Sequence, residues 1–175
     1  MSPVVGPLRP RVLMVDDGLA RLDTALGRAA DSICAALAAA HPARYGGIGM
    51  HELGGELFEY LRANRPSEVL NAAYETLPVA DMTPREAYER MVDGEVELVP
   101  SGELPGRTAA NAVMPYPPGI PMLMSGENFG AKESPQIEYL KSMENREKQF
   151  PGFSGVIEGA EMIGGVYHVL CVQEK

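Results

Sequence analysis

The chain has no tryptophan, three histidines and two cysteines in 175 residues, and each scarcity removes a class of chemistry. Cys34 and Cys171 are far apart and in no metal-ligand spacing, so nothing demands an oxidising compartment or a thiolate-bound metal. Both read as small buried hydrophobes, Cys34 in an alanine-rich helix and Cys171 in a terminal strand. His41, His51 and His168 do not approach the spacing of a HExxH-type metal site. A Gly-x-Ser-x-Gly nucleophile elbow and a phosphate-binding P-loop are also missing, and Gly47-Ile48-Gly49 lacks the third glycine of a dinucleotide fingerprint. Positive charge is in the minority: 15 basic residues against 24 acidic ones give a formal net charge of −9. Such a surface argues against nucleic acid or an anionic membrane as partner. No apolar run reaches transmembrane length, and Pro3, Pro7 and Pro10 interrupt any signal-peptide core, so the default expectation is a cytoplasmic protein.

What is present is an ordinary globular composition, 45% hydrophobic and 22% charged, at the length of one domain. Residues 1–10 are rich in proline and glycine and read as an unstructured leader. Residues 11–15, RVLMV, suit a buried strand. The stretch RVLMVDDG imitates the start of a phospho-receiver domain, but no acceptor aspartate lies some forty residues on, where 51–60 has a helical pattern. Leu19, Leu22, Leu26, Ala29, Ile33, Leu37 and Ala40 recur at helical steps and predict a long helix with one apolar face, ended by His41-Pro42. Further helices are predicted at about 50–63, from Pro66 to about Thr76, and from Pro84, where Thr83-Pro84-Arg85-Glu86 is a capping box and Gly94 the stop. Residues 95–99, EVELV, alternate as a half-buried strand does. A last helix opens at Ser134-Pro135 with Ile137, Leu140 and Met143 facing inward. Residues 155–163 and 166–172 then predict a terminal hairpin around Gly164-Gly165. Helices dominate the first half and strands the second, which makes the fold class α+β, with mixed or antiparallel strands.

One segment stands out: GRTAANAVMPYPPGIPMLMSGENFG at residues 106–130. A β-prone run stops in a rigid turn. Pro115, Pro117, Pro118 and Pro121 fix φ and remove donors, so they are expected outside any sheet ladder, and Gly119 supplies the adjustable position. Arg107, Asn111, Tyr116 and Glu127 are the polar groups such a loop would display. Two readings stay open for them: the mouth of an active site or a subunit contact, and a hydrogen-bond network bracing a turn poor in backbone donors.

The same segment closely resembles the C-terminal domain of the bacterial ornithine/lysine/arginine decarboxylases, and its flanks agree: MTPREAY at 82–88, SPQ at 134–136, FPGF at 150–153 and GVYHV at 165–169. The wording MSGENFG, with Ser125, looks most like the arginine-specific biodegradative branch. The resemblance runs from about Val12 to Lys175. It implies a single domain over 11–175, with 11–45 similar to the end of the parent enzyme's small domain and 46–175 to the C-terminal domain proper. It further implies a parent enzyme that uses pyridoxal phosphate to release the α-carboxylate of a basic amino acid as CO2, consuming a proton, which links the family to acid resistance. In that family the cofactor lysine follows a histidine in a Ser-x-His-Lys motif. Here the lysines are Lys132, Lys141, Lys148 and Lys175, and none follows a histidine. The chain is therefore expected to carry no catalytic, cofactor-binding or metal-binding residue of its own and to be inactive alone. Its expected partners are itself or the rest of a decarboxylase; the alternative is a stand-alone module that binds a full-length decarboxylase or another protein. A small-ligand pocket around Arg107 is a third possibility.

Overall fold

The computed structural model describes residues 27–153 and 155–174. The expected leader, the 11–15 strand and the start of the first helix lie outside them. Contacts divide the chain into two units, residues 1–56 and 57–175, with the division falling within one helix.

In the first unit, α1 (residues 27–40) is helical up to the residue before His41, where the sequence places its end. Its patterned face is not buried: Ile33 is 51% exposed, Ala29 and Ala40 are exposed, and Leu37 and Cys34 are only partly covered. The expectation that Cys34 is a buried hydrophobe therefore fails, because among the described residues none covers that face fully. A short helix, α2 (Pro42–Tyr45), uses Pro42 as its first residue. Gly47, at φ 83°, then turns the chain towards α3 (Met50–Asn64).

The second unit holds the α+β architecture. Arg65, at φ 44°, separates α3 from α4 (Pro66–Glu75). Strand β1 (Val79–Ala80) precedes α5 (Pro84–Val92), β2 (Val96–Pro100) and a 3-10 turn (Ser101–Glu103). Strands β3 (Met114–Tyr116) and β4 (Glu127–Asn128) follow, then α6 (Pro135–Gln149), β5 (Val156–Glu158), β6 (Ala160–Ile163) and β7 (Val166–Val172). The strands form three small antiparallel sheets, β2-β7-β6, β1-β4 and β3-β5. Both expected caps are made. Thr83 Oγ1 accepts from Glu86 N at 3.2 Å while Glu86 Oε2 accepts from Thr83 N at 2.7 Å, and that backbone bond is the main reason the Glu86 carboxyl titrates below its ordinary range. Ser134 caps α6 by accepting from Ile137 N.

The core lies where α6 crosses the sheet β2-β7-β6. Ile137, Leu140 and Met143, the inward residues the helical spacing predicts, meet Val99, Tyr167, Val169 and Cys171 in one buried cluster with Phe129 and Leu104. Burying side chains of this size stabilises by roughly 1.5–3 kcal/mol each. Two polar side chains enter the core with a defined task. Gln136 Nε2 donates to the carbonyls of Ala73 and Thr76 at 2.9 and 2.8 Å, satisfying the end of α4. Glu144, 6% exposed, accepts from Tyr167 N at 2.8 Å.

Three sequence expectations are corrected. Strand β2 exists, but its burial does not alternate: Val99, opposite the buried Val169, is its one buried residue, Leu98 is 44% exposed, and Glu97, opposite Cys171, is exposed too and pairs with Arg107. Second, 155–163 is not one strand. Gly159, at φ 83°, breaks it into β5 and β6 in different sheets, and a Cβ there would lie 1.9 Å from the carbonyl oxygen of Ala112. Third, Pro115 does enter a ladder, opposite Ile157 in β3-β5. A two-stranded sheet leaves one edge of β3 without a ladder, so a residue lacking an N–H is admitted there. The terminal hairpin turns as expected, with Gly164 and Gly165 at φ 60° and 83°.

Replacing Thr83 by Ala is expected to cost about 1 kcal/mol in urea unfolding of the chain, the usual worth of such a cap. Gly159→Ala should cost roughly 2–4 kcal/mol, because left-handed strain adds to overlap with a backbone carbonyl. A tolerated Gly159→Ala would show that the β5–β6 break is not held by that contact. Alkali gives a third test. Burial pushes Tyr167 from 10.0 up to about 12 and Cys171 from 9.0 up to about 12. Both are acids that the folded state keeps neutral, so between pH 9 and 12 the unfolded chain binds fewer protons than the folded one. Stability should therefore fall as pH rises above about 9, and Cys171→Ala should delay the onset towards pH 10. Urea midpoints measured from pH 7 to 11 read this directly.

Candidate functional site

Residues 106–130 leave the 3-10 turn, run antiparallel between neighbours, reverse through the prolines and return. Tyr116-Pro117 and Pro117-Pro118 are both cis. Gly119 closes the reversal at φ 77°, its N–H donating to Pro115 O at 2.8 Å, with the Tyr116 ring packed where a Cβ would stand. From outside the segment, Tyr74 on α4 donates its hydroxyl to Ile120 O at 2.8 Å. The reversal is thus braced by one tyrosine from another helix and by its own backbone.

The four residues displayed by sequence do not converge on one point. Arg107 faces the sheet: its Nη2 binds Glu97 Oε1 at 2.5 Å and Val172 O at 3.3 Å, and its Nε stands 3.8 Å from Glu174. Asn111 lies beside Gly159, its amide nitrogen 3.3 Å from the missing Cβ, with its Oδ1 buried and without a hydrogen bond. Tyr116 is half-exposed at the tip of the reversal. Glu127 folds back on its own turn, accepting from Met124 N at 2.7 Å. Gly126 in that turn has φ 87° and would place a Cβ 2.4 Å from Met82 O.

The polar centre of the segment lies elsewhere, on residues that sequence reasoning passed over. Asp81 Oδ2 accepts from Thr108 Oγ1 at 2.5 Å and from Asn128 Nδ2 at 2.6 Å. Asn128 also donates to Gly106 O and accepts from Gly130 N. One carboxylate therefore ties together three stretches of chain. The signal available beforehand was weak: Asp81 is one acid among 24, distinguished only by preceding the MTPREAY segment.

Beside this centre a cleft of about 360 Å³ opens among Leu77, Val79, Asp81, Phe129, Ala131 and Gln136. Its walls are mostly apolar; of the two carboxylates that line it, Asp81 is committed to Thr108 and Asn128, and Glu133 is the other. Among the described residues no group of His, Cys, Asp and Glu side chains could hold a metal ion. A pyridoxal-phosphate site would require a lysine in a closed pocket to carry the cofactor. Lys132 and Lys148 are exposed and Lys141 pairs with Glu138 at 3.4 Å; none of them lines this cleft. The residues described do not fit that cofactor, and no chemical step is derived through it. Among the described residues no helix is long and apolar enough to cross a membrane.

Known proteins share this arrangement. The family model described as Orn/Lys/Arg decarboxylase, C-terminal domain, matches residues 67–173. The chain is 56% identical over 133 residues to the biodegradative arginine decarboxylase of Escherichia coli, covering 76% of this chain and 18% of that protein. It is 38% identical over 135 residues to lysine decarboxylase LdcA of Pseudomonas aeruginosa, covering 75% of this chain and 18% of the relative. Among solved structures, the constitutive lysine decarboxylase of Escherichia coli superposes with a TM-score of 0.75 at 33% identity, over 89% of this chain and 23% of that one. The chain thus spans about a fifth of the length of these relatives. The segment that gives residues 106–130 their shape, and the sheet and helix that hold it, place the chain in the Orn/Lys/Arg decarboxylase family, in which it corresponds to the C-terminal domain.

Proposed function

We propose that this chain is the assembly domain of a pyridoxal-phosphate-dependent basic amino-acid decarboxylase, most closely an arginine decarboxylase, and that it is inactive alone. The observation that carries the reading is the combination of strong likeness with short length. Identity reaches 56% to an arginine decarboxylase, against 38% and 34% to two lysine decarboxylases and 30% to an ornithine decarboxylase, yet the chain spans only 18% of the first of these. Four-fifths of such an enzyme is then available to supply the cofactor site that the described lysines do not suit.

Surface chemistry supports an assembly role. Leu77 and Val79 are 85% and 72% exposed at the rim of the apolar cleft, and Val156 and Ile120 stand 67% and 55% exposed near the proline reversal. Tyr88 and Val92, four residues apart on α5, are exposed together. Large apolar side chains gathered this way mark surfaces that a partner covers. The rest of a decarboxylase, or further copies of it, would be that partner, in the cytoplasm. Arg107, Asn111, Tyr116 and Glu127 then serve mainly to shape the loop that meets the partner, and Tyr116 at the exposed tip is the one of the four placed to touch it.

Two measurements test this. The purified chain, mixed with pyridoxal phosphate and arginine, should release no CO2 above background. Co-expressed with the remainder of an arginine decarboxylase of this family lacking its own C-terminal domain, it should co-purify and restore arginine decarboxylation, and Leu77→Glu with Val79→Glu should abolish both. Catalysis by the chain alone, or failure of the native chain to associate, would overturn the proposal.

A further inference from the structure

Arginines in this chain generally have a carboxylate. Arg44 pairs with Glu56, Arg65 with Glu68, Arg85 with Glu89, Arg90 with Glu95 and Arg107 with Glu97. Arg146, on α6, is different. Its Nε is shielded from solvent and makes no hydrogen bond, and among the described residues no carboxylate pairs with its guanidinium. Its acidic neighbours on the helix bond elsewhere, Glu144 to Tyr167 N and Glu147 Oε1 to Gly152 N, while Glu147 Oε2 is buried without a hydrogen bond and forms no ion pair with Arg146. Withdrawing part of a guanidinium from water without a compensating partner costs free energy, and in a chain with a net charge of −9 a partner would have been easy to supply.

The group lines a cleft of about 230 Å³ with Ser67, Leu70, Tyr116, Tyr139 and Met143. Tyr139 is 5% exposed, yet no acceptor in the described chain takes its hydroxyl proton. The other phenols beside Arg146 are occupied, Tyr167 donating to Gly155 O at 3.1 Å and Tyr60 reaching Ser142 O at 3.5 Å. The cleft also opens on the first turn of α4 at Pro66 and Ser67, where Arg65 provides no side-chain cap. A helix start without a cap adds positive potential to the same space. Gly155 keeps the cleft open, for a Cβ there would stand 3.0 Å from Arg146 Nη2 and 2.5 Å from Met143 Cε.

We infer that this cleft binds a small oxyanion ligand, a carboxylate or phosphate group seated on Arg146 and Tyr139, with Leu70 and Met143 receiving its apolar part. The guanidinium gives two parallel N–H donors to two oxygens, Tyr139 gives a third, and in the first turn of α4 the Ser67 N–H remains, since Pro66 has none and those of Glu68 and Val69 donate to Arg65 O. Its volume suits a compact metabolite rather than a nucleotide.

Calorimetric titration of the 175-residue chain tests the site with two probes, inorganic phosphate and glutarate, each at constant ionic strength maintained with chloride. Saturable binding of phosphate alone identifies a phosphate ligand, and of glutarate alone a carboxylate ligand; either result, or both together, supports the site. Arg146→Gln should weaken binding about 10-fold or more, the worth of a charge-assisted contact. Tyr139→Phe, which keeps the ring and its packing, should weaken it about 3- to 10-fold. Arg85→Gln, on the exposed face of α5, should leave it unchanged. If neither probe binds saturably, or if Arg146→Gln and Tyr139→Phe, both folded by circular dichroism, bind as the native chain does, the inference is overturned.

Discussion

The second unit depends on one backbone, that of residues 107–113, which is hydrogen-bonded along both of its edges. On one side Ala110 N donates to Leu170 O and Val172 N to Thr108 O, joining the segment to β7. On the other, Phe129 N donates to Arg107 O, Ala109 N to Glu127 O, and Val113 N to Leu123 O. An extended segment bonded along both edges must be small where its neighbours approach, and Ala109 and Ala110 are 0% and 1% exposed. The run Thr-Ala-Ala-Asn-Ala meets that demand, since larger side chains would push β7 and the returning loop apart. Asp81 then fixes the position of this strand along its axis by holding Thr108 and Asn128 on one oxygen. The motif that identifies the family is therefore the spine of the domain, and its oddity of composition follows from its place between two neighbours.

The prolines have a related cause. A chain that leaves a two-sided spine must turn within a few residues if it is to return along the same edge, as the pairing of Val113 with Leu123 requires. A turn without side-chain donors has to be stiff in itself. Proline provides stiffness by fixing φ, and Gly119 provides the one left-handed position. Tyr74 adds a single tie to Ile120, so the tip is anchored to α4 while Tyr116 and Ile120 remain exposed. Stiffness here preserves an apolar tip in the open, an arrangement unfavourable in water.

How much of this was legible in the sequence depended on whether the cause was local. The capping box at Thr83, the proline-opened helices, the double-glycine hairpin and the inward residues of α6 are fixed by interactions within four residues, and all stand where the pattern puts them. The burial of β2 was not legible, because Val99 is covered by residues distant in sequence, among them Leu140 and Val169, while Glu97 stays exposed and pairs with Arg107 from a different segment. The break at Gly159 depends on the Ala112 carbonyl, which belongs to another strand altogether. Within residues 106–130 the sequence drew attention to side chains that do not converge, and passed over the ones that tie the segment to other elements. Arg107, Asn111 and Glu127 attracted notice as polar residues in an unusual loop, whereas Asp81, Asn128 and Tyr74 matter through distant partners. The face of α1 shows the converse: its periodicity is that of a buried helix, yet Ile33 is half-exposed. A pattern records that burial occurs and leaves open which chain provides it.

Arg107 and Arg146 carry that distinction into the electrostatics. Both have a buried Nε without a hydrogen bond. Arg107 is nonetheless spoken for, since Glu97, Glu174 and the Val172 carbonyl surround its charge and secure the strand that bears it. Its charge is spent on the fold. Arg146 has no such enclosure. Its guanidinium faces Tyr60, Tyr139 and Tyr167, where burial raises each phenol and the arginine charge opposes that rise. Neutral hydroxyls can orient around a cation but cannot cancel it. A guanidinium without an ion pair among the described residues, at the edge of an open cleft, attracts an anion from outside even with Glu144 and Glu147 nearby. The same residue type thus closes the structure at one place and leaves it chemically open at the other.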